Sequence, residues 1–346
     1  MKKIRPFILA FVGVMAIHAQ EKVKLPAKEE LRQMIAENNV PALGIGKIES
    51  GKITDAFVIG ELKAGVVAGN DAIFDTASIT KSITTWLTLR LVSEGLFYLD
   101  EPLHTYWVDP DVKEDPFHRL LTARHVLGHQ SGFKNWRFMN ADGKLAFDFQ
   151  PGTQVQYSGE GFEYLKEALT RKFKKSFAEL TVQWVFGPYA MQQSHVVWDD
   201  SIDASKIAIA HDLNKAPYLF DIEERKRASA ADNFMTTVDD LAGFGIAVLN
   251  QVGVSEGVYR QMIASKSQVR EGVAFGLGWI VFENLPHGEY ALLNAGSDKG
   301  VNAIVLLLPK SKRGLIALTN GDNGRKVVMQ LLGKSLDVGP EILSRF

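Results

Sequence analysis

The sequence predicts a mixed α/β fold of the α+β type: an antiparallel sheet built from both chain ends, flanked by helices, with an all-helical lobe inserted. Three observations predict it. Near the start, "GIGKIESGKITDAFVIGEL" alternates apolar and polar residues about Ser50-Gly51, the pattern of a hairpin. From about Thr80 to Asn250 a helical period takes over. Between Phe275 and Asn320 the strand pattern returns.

The middle helices are carried by "SITTWLTLRLVSEGL", "GFEYLKEALTRKF", "SFAELTVQWVF" and "TTVDDLAGFGIAVLN", the last opening with the Thr237/Asp240 spacing of a capping box. The later strands are "GLGWIVFEN", "EYALLNAG", "VNAIVLLLP" and "RGLIALTNG", parted by Pro, Gly and charged turns. A last helix, "GRKVVMQLLGKSL", follows them. No repeat, low-complexity tract or linker interrupts the chain. Residues 20–346 are expected to form one domain, with a sheet lobe at about 24–77 and 250–346 and a helical lobe at about 78–249. A cleft is expected where the lobes meet.

With 346 residues, 46% of them hydrophobic, the chain can bury a large core. Its 39 basic and 40 acidic residues leave no polybasic surface for nucleic acid. The start, "MKKIRPFILAFVGVMAIHAQ", has a basic head, a short apolar run and small residues near Ala19, and reads as a signal peptide over 1–19. Cleavage there would remove Lys2, Lys3 and Arg5, leaving 36 basic against 40 acidic residues and a formal charge of −4. The mature protein is therefore expected in the periplasm or outside the cell, with no stable membrane insertion. Cysteine is absent, which excludes disulfides, thiolate metal sites and a cysteine nucleophile.

Ser78 and Lys81 stand one helical turn apart at the head of an apolar helix, so their side chains can touch. The helix start favours developing negative charge at Ser78. Burial of Lys81 among Trp86, Leu87, Leu89, Leu91 and Val92 would disfavour its charged form, making it a workable base for a serine nucleophile. The pattern is short, however, and Ser131 and Lys134 match it too, although Gly132 between them indicates a turn.

Two further stretches give the pair a context. "QPGTQVQYSGEGFEYL" sets Tyr157 after a Pro-Gly turn and before a helix, and "LLNAGSDKGVNAIVLLLP" sets Asn294, Ala295, Gly296 and Ser297 at a strand end. With "LTARHVLGHQSGF" and "ASAADNFMTTVDDLAGFG", their order and spacing resemble those of serine β-lactamase and penicillin-binding-protein-like hydrolases, most closely the class C-like branch. The resemblance runs from about Pro41 to Asn320. It implies a β-lactamase/transpeptidase-like fold, Ser78 as nucleophile, Lys81 as its partner and Tyr157 as proton shuttle. The backbone N–H groups of Ser78 and Ser297 would form the oxyanion hole, with Gly159, Asn294, Ala295 and Gly296 at the substrate. No cofactor or metal is implied, and the partner would be a small-molecule or peptide acyl substrate.

The sequence departs from that family twice. Gly159 stands where the tyrosine motif usually ends in Asn, and Asn294 where the third motif usually opens with Lys or His. Asn294 carries no charge to meet a substrate carboxylate. The expectation is an esterase, amidase or peptidase and a poor β-lactamase. The competing expectation is a non-catalytic module on the same fold that binds cell-wall peptide or a protein.

Other features are weaker. His125 and His129 have a metal-ligand spacing, but Val126 follows His125 and no catalytic Glu does, so helix packing or surface polarity is the better reading. No Gly-x-Ser-x-Gly elbow, Walker loop or dinucleotide fingerprint occurs. The glycines of "FGLGW" suit close packing beside the site, and "WDDSID" at 198–203 suits a solvated loop. Trp136, Arg137 and Phe138 suit equally a cleft lining and a loop anchor, while Asp298 and Lys299 read as an exposed turn pair.

Overall fold

The structure, a computed structural model, describes residues 23–264 and 267–346; the expected signal peptide over 1–19 lies outside the described residues. The described chain opens with helix α1 (Lys28–Glu37), strands β1 (Ala42–Glu49) and β2 (Lys52–Lys63), and short strands β3 (Val66–Val67) and β4 (Phe74–Asp75). Its middle holds α2 (Thr80–Ser93), α3 (Ala123–Leu127), α4 (Gly159–Phe173), α5 (Phe177–Thr181), α6 (Ile222–Arg225), strand β5 (Met235–Thr236), α7 (Val238–Leu249) and α8 (Glu256–Ile263). Strands β6 (Ser267–Arg270), β7 (Val273–Phe275), β8 (Ile280–Phe282), β9 (Ala291–Asp298), β10 (Val301–Leu308) and β11 (Arg313–Thr319) follow, then α9 (Gly324–Ser335) and α10 (Gly339–Ser344).

Nine strands form one antiparallel sheet in the order β3-β2-β1-β11-β10-β9-β8-β7-β6. The two ends of the chain meet at β1 and β11, where Leu43 lies opposite Thr319. The hairpin turn falls at Ser50-Gly51 as its sequence indicates: both residues are left-handed, with φ of 49° and 72°, which matches the twist of the strands they join. Every residue of β11, and all of β10, is buried, so both read as unbroken apolar runs. Val305 and Leu307 point to the core shared with α2, α4 and α7, while Ile304, Leu306 and Leu308 point to the one shared with α1, α9 and α10.

Helix α2 is the axis of the helical side and is buried nearly all round. Its polar residues satisfy themselves locally. Thr85 Oγ1 donates to the Lys81 carbonyl at 2.7 Å, Thr88 Oγ1 to the Thr84 carbonyl at 2.8 Å, and Ser82 Oγ to the Ile79 carbonyl at 2.7 Å. Two expected details differ. The Thr237 side chain caps the Asp240 N–H, but the Asp240 carboxylate turns instead to Gln193 N (2.7 Å) and Ser194 Oγ (2.9 Å), so the capping box is half made. The helix begun at Phe177 leaves the α form after Thr181 and continues as a π turn over Val182–Phe186.

Trp86 anchors α2: it is fully buried, meets Phe244 edge-on at 6.3 Å, and its Nε1 donates to the Tyr189 hydroxyl at 2.8 Å. Trp86→Ala is expected to lower the unfolding free energy by about 3–5 kcal/mol, read from urea unfolding followed by circular dichroism.

Candidate active site

Ser78 lies in a single 3-10 turn, Ala77–Ile79, that leads into α2. The residue before it, Ala77, is left-handed at φ 45°, a conformation costly for a side chain with a Cβ. The turn is held from both sides: Ala77 N donates to Asp75 Oδ1 at 3.0 Å, and Thr80 Oγ1 donates to the Ala77 carbonyl at 2.6 Å. This leaves Ser78 half-buried at the head of the helix. One turn on, Lys81 is only 2% exposed, and its Nζ donates to Ser78 Oγ and to the Ala231 carbonyl, each at 2.9 Å. An amine and a hydroxyl are thus held in hydrogen-bond contact, away from bulk water.

Tyr157 is brought to the same place by the start of α4, where the Ser158 side chain caps Gly161 N at 3.0 Å. Lys81 Nζ faces the Tyr157 ring at 4.9 Å from its centroid, a cation–π distance. The same ring stacks on His129 at 4.5 Å and 30°. His129 is buried, edge-on to Phe275 at 4.6 Å, and its Nδ1 accepts the Ser158 N–H at 3.3 Å. Burial first, and then the positive charge of Lys81, pushes its imidazole down to about 3, so it stays neutral at ordinary pH.

The third wall is β9. Strand β8 begins at Ile280 opposite Leu293, so from Asn294 onward β9 runs past it and lies against the turn that holds Ser78. A Cβ on Gly296 would fall 1.9 Å from the Thr76 carbonyl and 3.2 Å from Ser78 N, which is why this position must lack a side chain. Asn294 is nearly buried, and its Nδ2 donates to the Gly278 carbonyl at 2.8 Å. Ala295 and Ser297 are exposed on the cleft side of this segment. Lys81, His129, Tyr157, Phe275, Trp279, Asn294 and Ala295 border a cleft with about 290 Å³ of empty space.

Gly159 has its own explanation. A Cβ there would lie 2.8 Å from Trp136 Cη2, so the indole occupies the place a side chain would take. Beside it, Arg137 bonds Asp109 at 3.0 Å and Glu160 at 2.9 Å, and Phe138 is 74% exposed. Arg137 is therefore a loop anchor, and Trp136 is the residue of this trio that packs on Gly159. The FGLGW glycines pack closely, as expected: Cβ atoms would fall 2.2 Å from the Met262 carbonyl at Gly276 and 1.8 Å from Thr85 Oγ1 at Gly278.

Several sequence expectations are resolved by position. Helix α3 ends at Leu127 and His129 is left-handed at φ 53°, so His125 and His129 do not share a helix face. Among the described residues no group of three or more His, Cys, Asp or Glu is placed to hold a metal ion. Ser131 and Lys134 flank Gly132 at φ 88°, in a turn and not on a helix. Asp298 and Lys299 form an exposed turn, with Lys299 N on Asp298 Oδ1 at 2.7 Å. The WDDSID loop is largely solvated.

Sequence reasoning did not find His129, the Ala231 carbonyl or Asp232 as parts of this site. Asp232 is half-buried; burial first, then the nearby Asp75 carboxylate, raises it to about 7, against the lowering pull of Lys81.

Comparison with known proteins agrees with this fold. A family model described as "Beta-lactamase" matches residues 27–332. Penicillin-binding protein 4 of Amycolatopsis lactamdurans is 22% identical over 326 residues, covering 85% of this chain and 84% of its own. Protein flp of Staphylococcus aureus (strain N315) is 20% identical over 83% of this chain, which spans 61% of flp. Among solved structures, the octameric penicillin-binding protein homologue from Pyrococcus abyssi superposes with a TM-score of 0.74 at 22% identity, covering 89% of this chain and 77% of that one. The chain belongs to the β-lactamase family, with a serine-hydrolase type of fold.

Two outcomes are expected of the site's packing. The folded value of about 3 for His129 lies below the ordinary 6.5, so the unfolded chain binds the extra proton between them. The stability owed to neutral His129 is then complete above pH 6.5 and drains as pH falls toward 3, by up to about 1.4 kcal/mol per pH unit. Asp232, raised to about 7, runs the other way, its contribution being lost as pH rises through that value. His129→Asn isolates the first effect: its unfolding free energy should fall less steeply than that of the wild type between about pH 6 and 4 in urea melts. At the second position, Gly159→Asn should cost about 1–3 kcal/mol by overpacking, and Trp136→Ala in the same chain should restore most of it.

Proposed function

We propose that this member of the β-lactamase family is an exported serine hydrolase that cleaves an ester, amide or peptide through an acyl-enzyme. The observation that carries the reading is the 2.9 Å contact between Lys81 Nζ and Ser78 Oγ, with the lysine 2% exposed. In this reading Ser78 Oγ attacks the substrate carbonyl carbon while its proton passes to the Lys81–Tyr157 pair. The same pair returns a proton to the leaving group as the carbonyl reforms. Water then attacks the acyl-enzyme by the reverse proton path and frees the acid and Ser78.

The backbone N–H groups of Ser78 and Ser297 would take the oxyanion, a role supported by the approach of β9 to the Ser78 turn at Gly296. Each such donor is worth about 2.7–4 kcal/mol of transition-state stabilisation. Residues 20–346 are read as one catalytic domain, and export rests on the character of residues 1–19. Among the described residues no helix is long and apolar enough to cross a membrane.

Substrate choice follows from the polar groups of the cleft. Among the described residues bordering it, Lys81 is the one lysine or arginine, and the Asn294 amide is engaged with the Gly278 carbonyl. Among the described residues a substrate carboxylate would find no second lysine or arginine there, which favours uncharged acyl donors over β-lactams. The wild type should be labelled by a fluorophosphonate and should turn over a short-chain nitrophenyl ester, and Ser78→Ala should do neither. A Ser78→Ala protein that behaves as the wild type would sink the enzyme reading in favour of a peptide- or protein-binding module. Fast turnover of a chromogenic cephalosporin would overturn the assignment of substrate class.

A further inference from the structure

We infer that Glu163, on α4, is a positioning residue that sets the Ser78–Lys81 geometry through the segment 228–232. The inference rests on the acyl-enzyme reading above. Glu163 Oε1 accepts three hydrogen bonds from one stretch of chain: Ser229 Oγ at 2.5 Å, Ala230 N at 2.9 Å and Ala231 N at 3.2 Å. Its Oε2 accepts from Lys166 Nζ at 2.7 Å, and Lys166 also donates to the Ala228 carbonyl at 3.1 Å. A helical Glu–Lys pair one turn apart thus grips four consecutive residues of a segment with no regular structure of its own.

The grip reaches the nucleophile in discrete steps. Ser229 Oγ, while donating to Glu163, accepts Asp232 N at 2.9 Å. That N–H belongs to the same planar peptide as the Ala231 carbonyl, so fixing one end fixes the other. The Ala231 carbonyl accepts Lys81 Nζ, and Lys81 Nζ reaches Ser78 Oγ, both at 2.9 Å. The neighbouring Ala230 carbonyl accepts Thr84 Oγ1 at 2.6 Å, so the segment is pinned to α2 one turn beyond Lys81 as well. Without Glu163, the Ala230 N–H and the Ser229 hydroxyl lose their acceptor, and the Ala231 N–H keeps only Ser229 Oγ at 3.1 Å. The Ala231 carbonyl is then no longer aimed at Lys81, and the lysine is free to swing from the serine.

The same helix therefore serves the site twice. Its first turn presents Tyr157, and its next turn orients the acceptor that aims Lys81. Glu163 touches neither substrate nor the reacting atoms, which separates it from the catalytic groups.

The test uses the full-length protein and a nitrophenyl ester. Glu163→Ala should lose about 10–100-fold in kcat with KM within about twofold of wild type, the signature of a misplaced group and not of lost substrate binding. Glu163→Gln keeps an acceptor oxygen in the same place and should recover most of that loss. Ser229→Ala removes the hydroxyl link alone and should lower kcat with KM unchanged. Wild-type kcat in Glu163→Ala overturns the inference, as does a fall in kcat that only tracks the unfolded fraction in thermal melts. If Glu163→Ala does not fold, Ser229→Ala decides alone, and wild-type kcat there overturns it. Ser78→Ala, assayed in parallel, keeps the cases apart: an inert Ser78→Ala beside a fully active Glu163→Ala leaves the hydrolase reading standing and removes this one.

Discussion

A primary amine removed from water is the constraint around which the molecule is arranged. Lys81 sits on a helix buried nearly all round and is itself almost wholly shielded from bulk water. Burial of such a group is tolerable only when its hydrogen bonds are supplied from within. Two are supplied here, by a side-chain hydroxyl and a main-chain carbonyl, and the ring of Tyr157 adds its electron-rich face. None of the three comes from a carboxylate.

The sheet serves this arrangement by bringing distant parts of the chain against one turn. β9 overruns its neighbour and presses Gly296 onto the backbone at Thr76 and Ser78, a contact that spans over two hundred residues of sequence. The left-handed Ala77 is tolerated because the turn is bonded on both sides and capped by this strand. Strain of this kind is sustainable where the surrounding structure leaves no alternative path for the chain.

What the sequence made legible was local or periodic. The Ser78–Lys81 spacing lies within one helical turn, and the sheet's two halves follow from alternation and unbroken apolar runs. Tyr157 was legible because a turn and a helix start flank it. His129 was misjudged for a physical reason: the i, i+4 spacing from His125 means a shared face only while the helix lasts, and Gly128 ends it. The Ala231 carbonyl leaves no mark in sequence at all, since any residue carries one. Its importance arises from a contact across 150 positions. The fold class and the meeting of Ser78, Lys81 and Tyr157 were thus readable, and the main-chain carbonyl that meets Lys81 was not.

The two departures from the family pattern point the same way once their surroundings are known. A site losing its purpose would be expected to show vacated space and orphaned groups where residues had been exchanged. Here Trp136 fills the place beside Gly159, and the Asn294 amide is taken up by Gly278. Meanwhile the serine and lysine remain in contact, and the turn beneath them keeps its strained form. The exchanges fall on the parts that would meet a substrate, and the parts proposed to carry out acyl transfer are left intact. The acyl donor without a carboxylate proposed above fits that division.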